Sequence, residues 1–413
     1  MKALIKTFAL MTIPAMIGLI SCGNETKKTD TEQPVVKPDS LPVKDSAKAA
    51  QYNMEKTSTF VPCSNDSMKE LGMFIAGMKP QGEAKVLGKF FASADFKSFA
   101  DNFEKKWGSY DSSRIKLLKD FRDKELAPNV GTTKKLFYPF SGPDILYGYT
   151  FFPEAEEYVM LGLEPVGTLP IYDEVKQKPD SMDAYYKKVN SSLLAILKYS
   201  FFRTAAMKTD LKNQELDGTL HLLFLFITRT GNTVCSARPL FIDTTGNIQY
   251  VSSFPKLEAK KCLNKGIEIV FNTPDNKTKK LYYFSLNIAD GAVKSNKGMV
   301  TYLNNLGEVN TYLKGASYLM HETYFSVIRN AILDHSKHII QDDSGIAFRY
   351  FTKAGGWSYK LYGAYTRPIP MFSYAYQKDL DSLYKSQGSK PIGFGIGYNF
   401  KDKNSNFMIA TKK

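Results

Sequence analysis

The chain has 413 residues, 43% of them hydrophobic and 13% aromatic, which is enough apolar side chain for a sizeable core. Its 55 Lys and Arg outnumber its 41 Asp and Glu, a formal net charge of +14 that favours anionic partners. The lysine doublets, such as Lys105-Lys106 and Lys279-Lys280, are scattered and form no basic stripe interleaved with aromatics. That distribution argues against a nucleic-acid partner.

Lys2 and Lys6 precede an uncharged, apolar run from Thr7 to Ile20. A short positive region followed by a run too short to span a bilayer has the layout of a secretory signal. Next comes Leu19-Ile20-Ser21-Cys22-Gly23. This segment resembles the lipobox of bacterial lipoprotein precursors. The resemblance covers only about the first two dozen residues. It implies cleavage before Cys22 and lipidation of its thiol, with two or more acyl chains giving stable membrane anchoring. Gly23, where an Asp tends to mean inner-membrane retention, leans the expected localisation in the cell envelope toward the outer membrane.

Residues 1–21 are therefore expected to be a signal peptide. Residues 22–58 are polar, with Pro34, Pro38 and Pro42, and read as a lipidated Cys followed by a disordered tether. Residues 59–413 read as the folded body, with interlocked subdomains at about 59–215 and 216–413 as one arrangement. Beyond Cys22 the body holds Cys63, Cys235 and Cys262. Either Cys235 and Cys262 bridge neighbouring strands, or all three are buried thiols. No C-x-x-C occurs, so a cysteine zinc or redox motif has no support.

Ser67 and Glu70 have capping-box spacing ahead of Leu71, Phe74, Ile75 and Met78. A second helix follows Ser93, with Phe96, Phe99, Phe103 and Trp107 in phase, continued by Ile115, Leu118 and Phe121. Residues 136–170 mix Phe, Tyr, Gly and Pro with acids and read as short strands joined by tight turns. A long helix is expected from Asp180 to about Leu211. The apolar run Leu220–Ile227 reads as a central strand buried on both faces. Further strands are expected at 233–241, 247–252, 266–271 and 280–288, then a helix over 316–341. Strands near 346–352, 357–365, 392–400 and 406–411 follow, with a short helix at 376–386. Helices and strands come in blocks, which predicts an α+β fold with largely antiparallel sheet and packed helices.

Two constellations are candidates for chemistry. The first is the aromatic and acidic block 137–164, with Asp144, Glu154, Glu156, Glu157 and Glu164. Paired carboxylates beside ring platforms suit glycoside cleavage; surface acids beside core rings are the plainer reading. The second is His335, His338 and Asp342, which would share one side of a continuous helix and suit a divalent metal, with Asp343 adjacent. The plainer reading is a structural helix closed by the turn Asp342–Gly345, with His335 buried and His338 more exposed. His321-Glu322 lacks the second His of a zinc-protease helix. No G-x-S-x-G occurs, and Gly393, Gly395 and Gly397 alternate with apolar residues as in a closely packed strand. No cofactor is expected. The leading expectation is a non-catalytic envelope lipoprotein that binds a glycan, a lipid or an envelope protein. The alternative is a membrane-anchored hydrolase acting on envelope or environmental polymers, with catalytic candidates Asp144, Glu164 and Asp343. The two part on whether 137–164 and 335–343 meet in space.

Overall fold

Among the described residues there are ten β-strands: β1 (Lys135–Pro139), β2 (Glu157–Gly162), β3 (Thr233–Ile242), β4 (Ile248–Tyr250), β5 (Lys265–Asn272), β6 (Thr278–Ser285), β7 (Val309–Leu313), β8 (Ser336–Gln341), β9 (Trp357–Tyr362) and β10 (Phe407–Lys412). Drawn from both halves of the body, they form one mixed sheet in the order β4-β3-β5-β6-β2-β1-β7-β8-β10-β9. This is a computed structural model, and it describes residues 62–131, 133–169, 182, 186–187, 189–190, 218–258, 264–401 and 405–413. The expected signal peptide, Cys22, the tether, Cys262 and most of the expected helix 180–211 lie outside the described residues.

The fold is α+β. Five of the nine strand pairings are antiparallel, among them the hairpin-like flanks β4-β3-β5-β6 and β8-β10-β9. The five central strands, β6-β2-β1-β7-β8, run parallel. Short turns in the sequence favoured the antiparallel flanks. The parallel centre is built by crossovers that the sequence does not mark as β-α-β units.

Helices cover both faces. They are α1 (Asp66–Ile75), α2 (Gly88–Ala92), α3 (Ala94–Tyr110), α4 (Lys116–Phe121), α5 (Ile145–Phe151), α6 (Leu220–Arg229), α7 (Phe254–Glu258), α8 (Asp290–Ser295), α9 (Lys297–Asn304), α10 (Ser326–His335), α11 (Phe348–Ala354) and α12 (Lys378–Gln387). Alternation along the strands divides two cores. Leu136 and Tyr138 face α1 and α3 to α6, while Phe137 faces the other way, toward α8 to α12. The first core is aromatic: Phe74 stacks on Phe96 at 5.5 Å, and Phe99 on Tyr186 at 4.4 Å. Met182, Tyr186 and Val189 are buried in it.

The start of α1 is capped by Asn65, whose side chain accepts from Met68 N at 3.3 Å, and not by Ser67. Glu70 is buried and turns away to accept the N–H groups of Lys85, Val86 and Leu87. Ser93 caps α3 as expected. The guanidinium of Arg229 donates to the carbonyls of Ala76 and Gly77, satisfying the C-terminal end of α1 and fixing it to α6. A disulfide joins Cys63 to Cys235, across 172 residues, and ties the start of the described body to β3.

Five expected elements are corrected. Leu220–Ile227 is helical, within α6, and all ten residues of that helix are buried. A fully buried run has no periodicity to separate helix from strand, and Leu-Leu-Phe-Leu-Phe carries no β-branch. The expected helix 316–341 is an α-helix only over Ser326–His335, after two short 3-10 turns at Leu319–His321 and Thr323–Phe325, and β8 follows at once. Residues 348–354 are helical, with Phe351 on the buried side. Residues 392–400 form no strand. Ile392, Phe394 and Ile396 are buried as alternation requires, but positive φ at Gly393 and Gly397 bends the chain out of a ladder. In the block 136–170, Tyr147-Gly148-Tyr149 belongs to α5 and not to a strand.

Candidate functional site

The parallel strands end together along one edge of the sheet. β1 leads through α5, on the first face, to β2 on one side. β7 leads through α10, on the second face, to β8 on the other side. Right-handed crossovers moving in opposite directions place their helices on opposite faces. The gap between the carboxyl ends of β1 and β7 is thus the topological switch point, where open α/β sheets bind ligands.

The residues that follow these strand ends are polar and buried. Asp144, at the N-terminus of α5, accepts from Tyr147 N at 3.2 Å and from the Tyr138 hydroxyl at 2.8 Å. Lys314, the first residue after β7, donates to Asp144 across the switch point. The Lys314 ammonium also lies 3.5 Å from the centroid of the Tyr147 ring. The Tyr147 hydroxyl meets Arg114 Nε at 3.1 Å and the Tyr110 hydroxyl at 3.2 Å. Arg114 sits in a π-helical turn, Asp111–Ile115, between α3 and α4. Such turns recur at functional sites. Burial raises the Asp144 carboxyl above its ordinary value, against the opposing pull of Lys314.

The loop after β8 is bonded to the loop after β7. Asp342 accepts from Gly315 N and from Ser344 N, each at 3.0 Å. Ala316 N donates to Ser344 Oγ at 2.8 Å. Asp343 accepts from the Tyr318 hydroxyl at 2.7 Å and from Asn406 Nδ2 at 2.9 Å, and its N–H donates to Asn406 Oδ1 at 2.7 Å. Burial, then the neighbouring charge of Asp343, pushes the Asp342 carboxyl up to about 7. Burial raises Asp343 too. The Tyr312 hydroxyl is buried, has no hydrogen-bond partner among the described residues, and lies in the field of both Asp144 and Asp342. Blocks 137–164 and 335–343 therefore meet in one polar cluster.

Backbone strain concentrates at the same edge. Among the described residues four non-glycines have positive φ: Phe140, Asn276, Ser317 and Tyr318. Asn276 is in a turn, a common place for Asn. The other three follow β1 and β7. Strained residues of this kind persist where surrounding structure over-determines them, and they cluster at active sites. Gly393–Tyr398 lies over the cluster. The Gly395 carbonyl accepts from Arg114, and the Tyr398 hydroxyl bonds Gly315 O at 2.9 Å and Ser317 Oγ at 2.7 Å. Gly397, at φ +60°, sits so close that any Cβ there would overlap Asp342 Oδ2.

The remaining sequence candidates divide. Glu164 is buried after β2, beside Gly142 and Gly162, whose missing side chains leave room for its carboxylate. Glu154, Glu156 and Glu157 lie at the other end of β2 and pair with Lys277, Lys134 and Lys135 near the surface. The metal candidates His335, His338 and Asp342 are not brought together. His335 ends α10, half-buried. His338 and Asp342 are four residues apart along extended chain, about 13 Å. His338 is the buried one, with Nδ1 3.1 Å from Thr411 Oγ1. No group of three or more His, Cys, Asp or Glu is placed to hold a metal among the described residues.

Sequence reasoning missed Lys314, Tyr318, Arg114, Tyr398 and Asn406. A signal was present for the first: charge and glycine recur together just after strand ends, in Gly142…Asp144, Lys314-Gly315 and Asp342…Gly345. Nothing local marks Arg114 or Asn406, which reach the site from elements far away in the chain. Comparison with family models, with curated proteins and with solved structures finds no match to this chain.

Proposed function

We propose that this chain is an exported, lipid-anchored hydrolase of envelope or environmental polymers, with Asp342 and Asp343 as its acid–base groups. The meeting of Asp144, Lys314, Asp342 and Asp343 at the switch point, under strained backbone, carries this reading. Hydrolysis needs a proton delivered to the leaving oxygen and another removed from the attacking water. A carboxyl raised to about 7 holds its proton near neutrality and can give it up, which suits Asp342. Asp343, whose charge is supported by Tyr318 and Asn406, is the acceptor. Lys314, paired with Asp144, fixes that carboxylate beside the loop that carries Gly315 to Asp342. Gly393–Tyr398 covers the acids, so a substrate reaches them only if this segment moves.

Export is supported by the signal layout and by the Cys63–Cys235 disulfide, which belongs in an oxidising compartment. The anchor rests on the lipobox at Cys22; Cys22→Ala should release the protein from the membrane fraction. Wild type should release soluble fragments from peptidoglycan or plant and microbial polysaccharides, and Asp342→Asn should slow release by about 100-fold or more. A specific observation favours a second reading, that of a non-catalytic binding protein: Asp144, Asp342 and Asp343 are each no more than 4% exposed. Binding of these polymers without any released product would select it.

A further inference from the structure

Tyr324, Met371 and Tyr374 are exposed at 53%, 76% and 68%, an unusual degree for side chains of this size. They are not scattered. Burial, and then Glu322 and Tyr324 close by, raise the Tyr374 hydroxyl above its ordinary value, which puts the two tyrosines in one neighbourhood. Each tyrosine is backed by a further ring. Tyr324 lies 5.2 Å from Phe325, which lies 5.8 Å from Phe140, the strained residue after β1. Tyr374 lies 6.3 Å from Phe372, which lies 5.0 Å from both Tyr318 and Tyr398. Tyr318 donates to Asp343, so the second path of rings runs from the surface to the acid pair.

The shelf is also pinned in place. Tyr374 belongs to the short 3-10 segment Pro370–Ala375, and Gln377 just beyond it donates to the Asp343 carbonyl at 3.0 Å. Below it His321 is buried, with an Nε2 that has no hydrogen-bond partner among the described residues. His321 packs edge-on against Tyr318 at 5.2 Å.

We propose that this tyrosine shelf is a carbohydrate-binding subsite that leads a glycan chain toward Asp343. A sugar ring has an apolar C–H face and a rim of hydroxyls. A tyrosine offers the matching flat ring with a hydroxyl at its tip. The shelf continues by ring contacts from Tyr374 through Phe372 and Tyr318 to Asp343, and this continuity favours a glycan over a lipid surface, which has no reason to be led to buried carboxylates. The inference rests on the hydrolase reading only for the direction in which the chain runs, and stands separately for binding.

The test is calorimetric titration of the full chain with chitohexaose, cellohexaose, xylohexaose, maltoheptaose and solubilised peptidoglycan fragments. At least one of these should bind. Tyr324→Ala and Tyr374→Ala should each weaken that binding about 5-fold, with the melting temperature unchanged, while Tyr374→Phe keeps most of it. Calorimetry reads binding without any product release, so its outcome is separate from that of the hydrolase reading, and Leu117→Ala, at an exposed residue of α4, should bind as wild type does. Three results would overturn the proposal: no glycan in the panel binds, binding is indifferent to both alanine variants, or both variants instead abolish adsorption to phosphatidylethanolamine–phosphatidylglycerol vesicles.

Discussion

Lys314 and Asp144 form an ion pair across the switch point, one residue just after β7 and the other at the head of α5, with side chains only 1% and 2% exposed. A buried pair is costly to break by halves, because the remaining charge is stranded away from water. Lys314→Met should therefore cost about 3–5 kcal/mol in denaturant unfolding. Adding Asp144→Asn, which keeps the acceptor for Tyr147 N and removes the stranded charge, should restore at least half of the loss. A double variant no more stable than the single one would mean that the two side chains do not depend on each other.

Stability should fall as pH rises toward neutrality, on account of Asp342. In the fold this carboxyl keeps its proton up to about 7, against an ordinary value of 3.8. Between those values the folded state holds more protons than the unfolded chain, so raising the pH works against folding. His321 acts in the opposite sense. Burial, with Arg349 nearby, holds it down to about 4 from 6.5, so its contribution is lost as pH falls through that range. Urea midpoints from pH 4 to 8 separate the two. Asp342→Asn should flatten the decline toward pH 7, and His321→Phe should remove the loss on the acid side.

Gly397 is required for two reasons, its positive φ and its contact with Asp342. Gly397→Ala should destabilise the fold by about 1–3 kcal/mol. Part of that cost should vanish when Asp342→Ala is added, since the clash is removed but the backbone strain is not. Strictly additive losses would show that Gly393–Tyr398 does not lie on Asp342.

Much of the fold was legible where one face of an element is buried and the other is not. Phe96, Phe99, Phe103 and Trp107 announce α3, and residues 233–241, 266–271 and 280–288 alternate or branch as strands do. It was illegible where burial is complete, as in Leu220–Arg229, because a helix buried all round has the same composition as a central strand. The site was half legible. Asp144, Glu164, Asp342 and Asp343 stand out as acids beside turn residues. The meeting of Asp144 with Asp342 and Asp343 depends on β7 being inserted between β1 and β8, and the order of strands in a sheet is not written in any local pattern. A continuous helix through His335 and His338 hides β8, and with it the fact that Asp342 directly follows the end of a strand.

The proposed chemistry turns on a carboxyl at Asp342 that gains and loses its proton near neutrality. The direct measurement is a 13C NMR titration of the aspartate carboxyl carbons in the labelled full chain, repeated with Asp342→Asn. One aspartate should titrate near 7 in the wild type and be absent from the variant. If every aspartate titrates below about 5, as unperturbed carboxyls do, the acid–base site proposed here is contradicted.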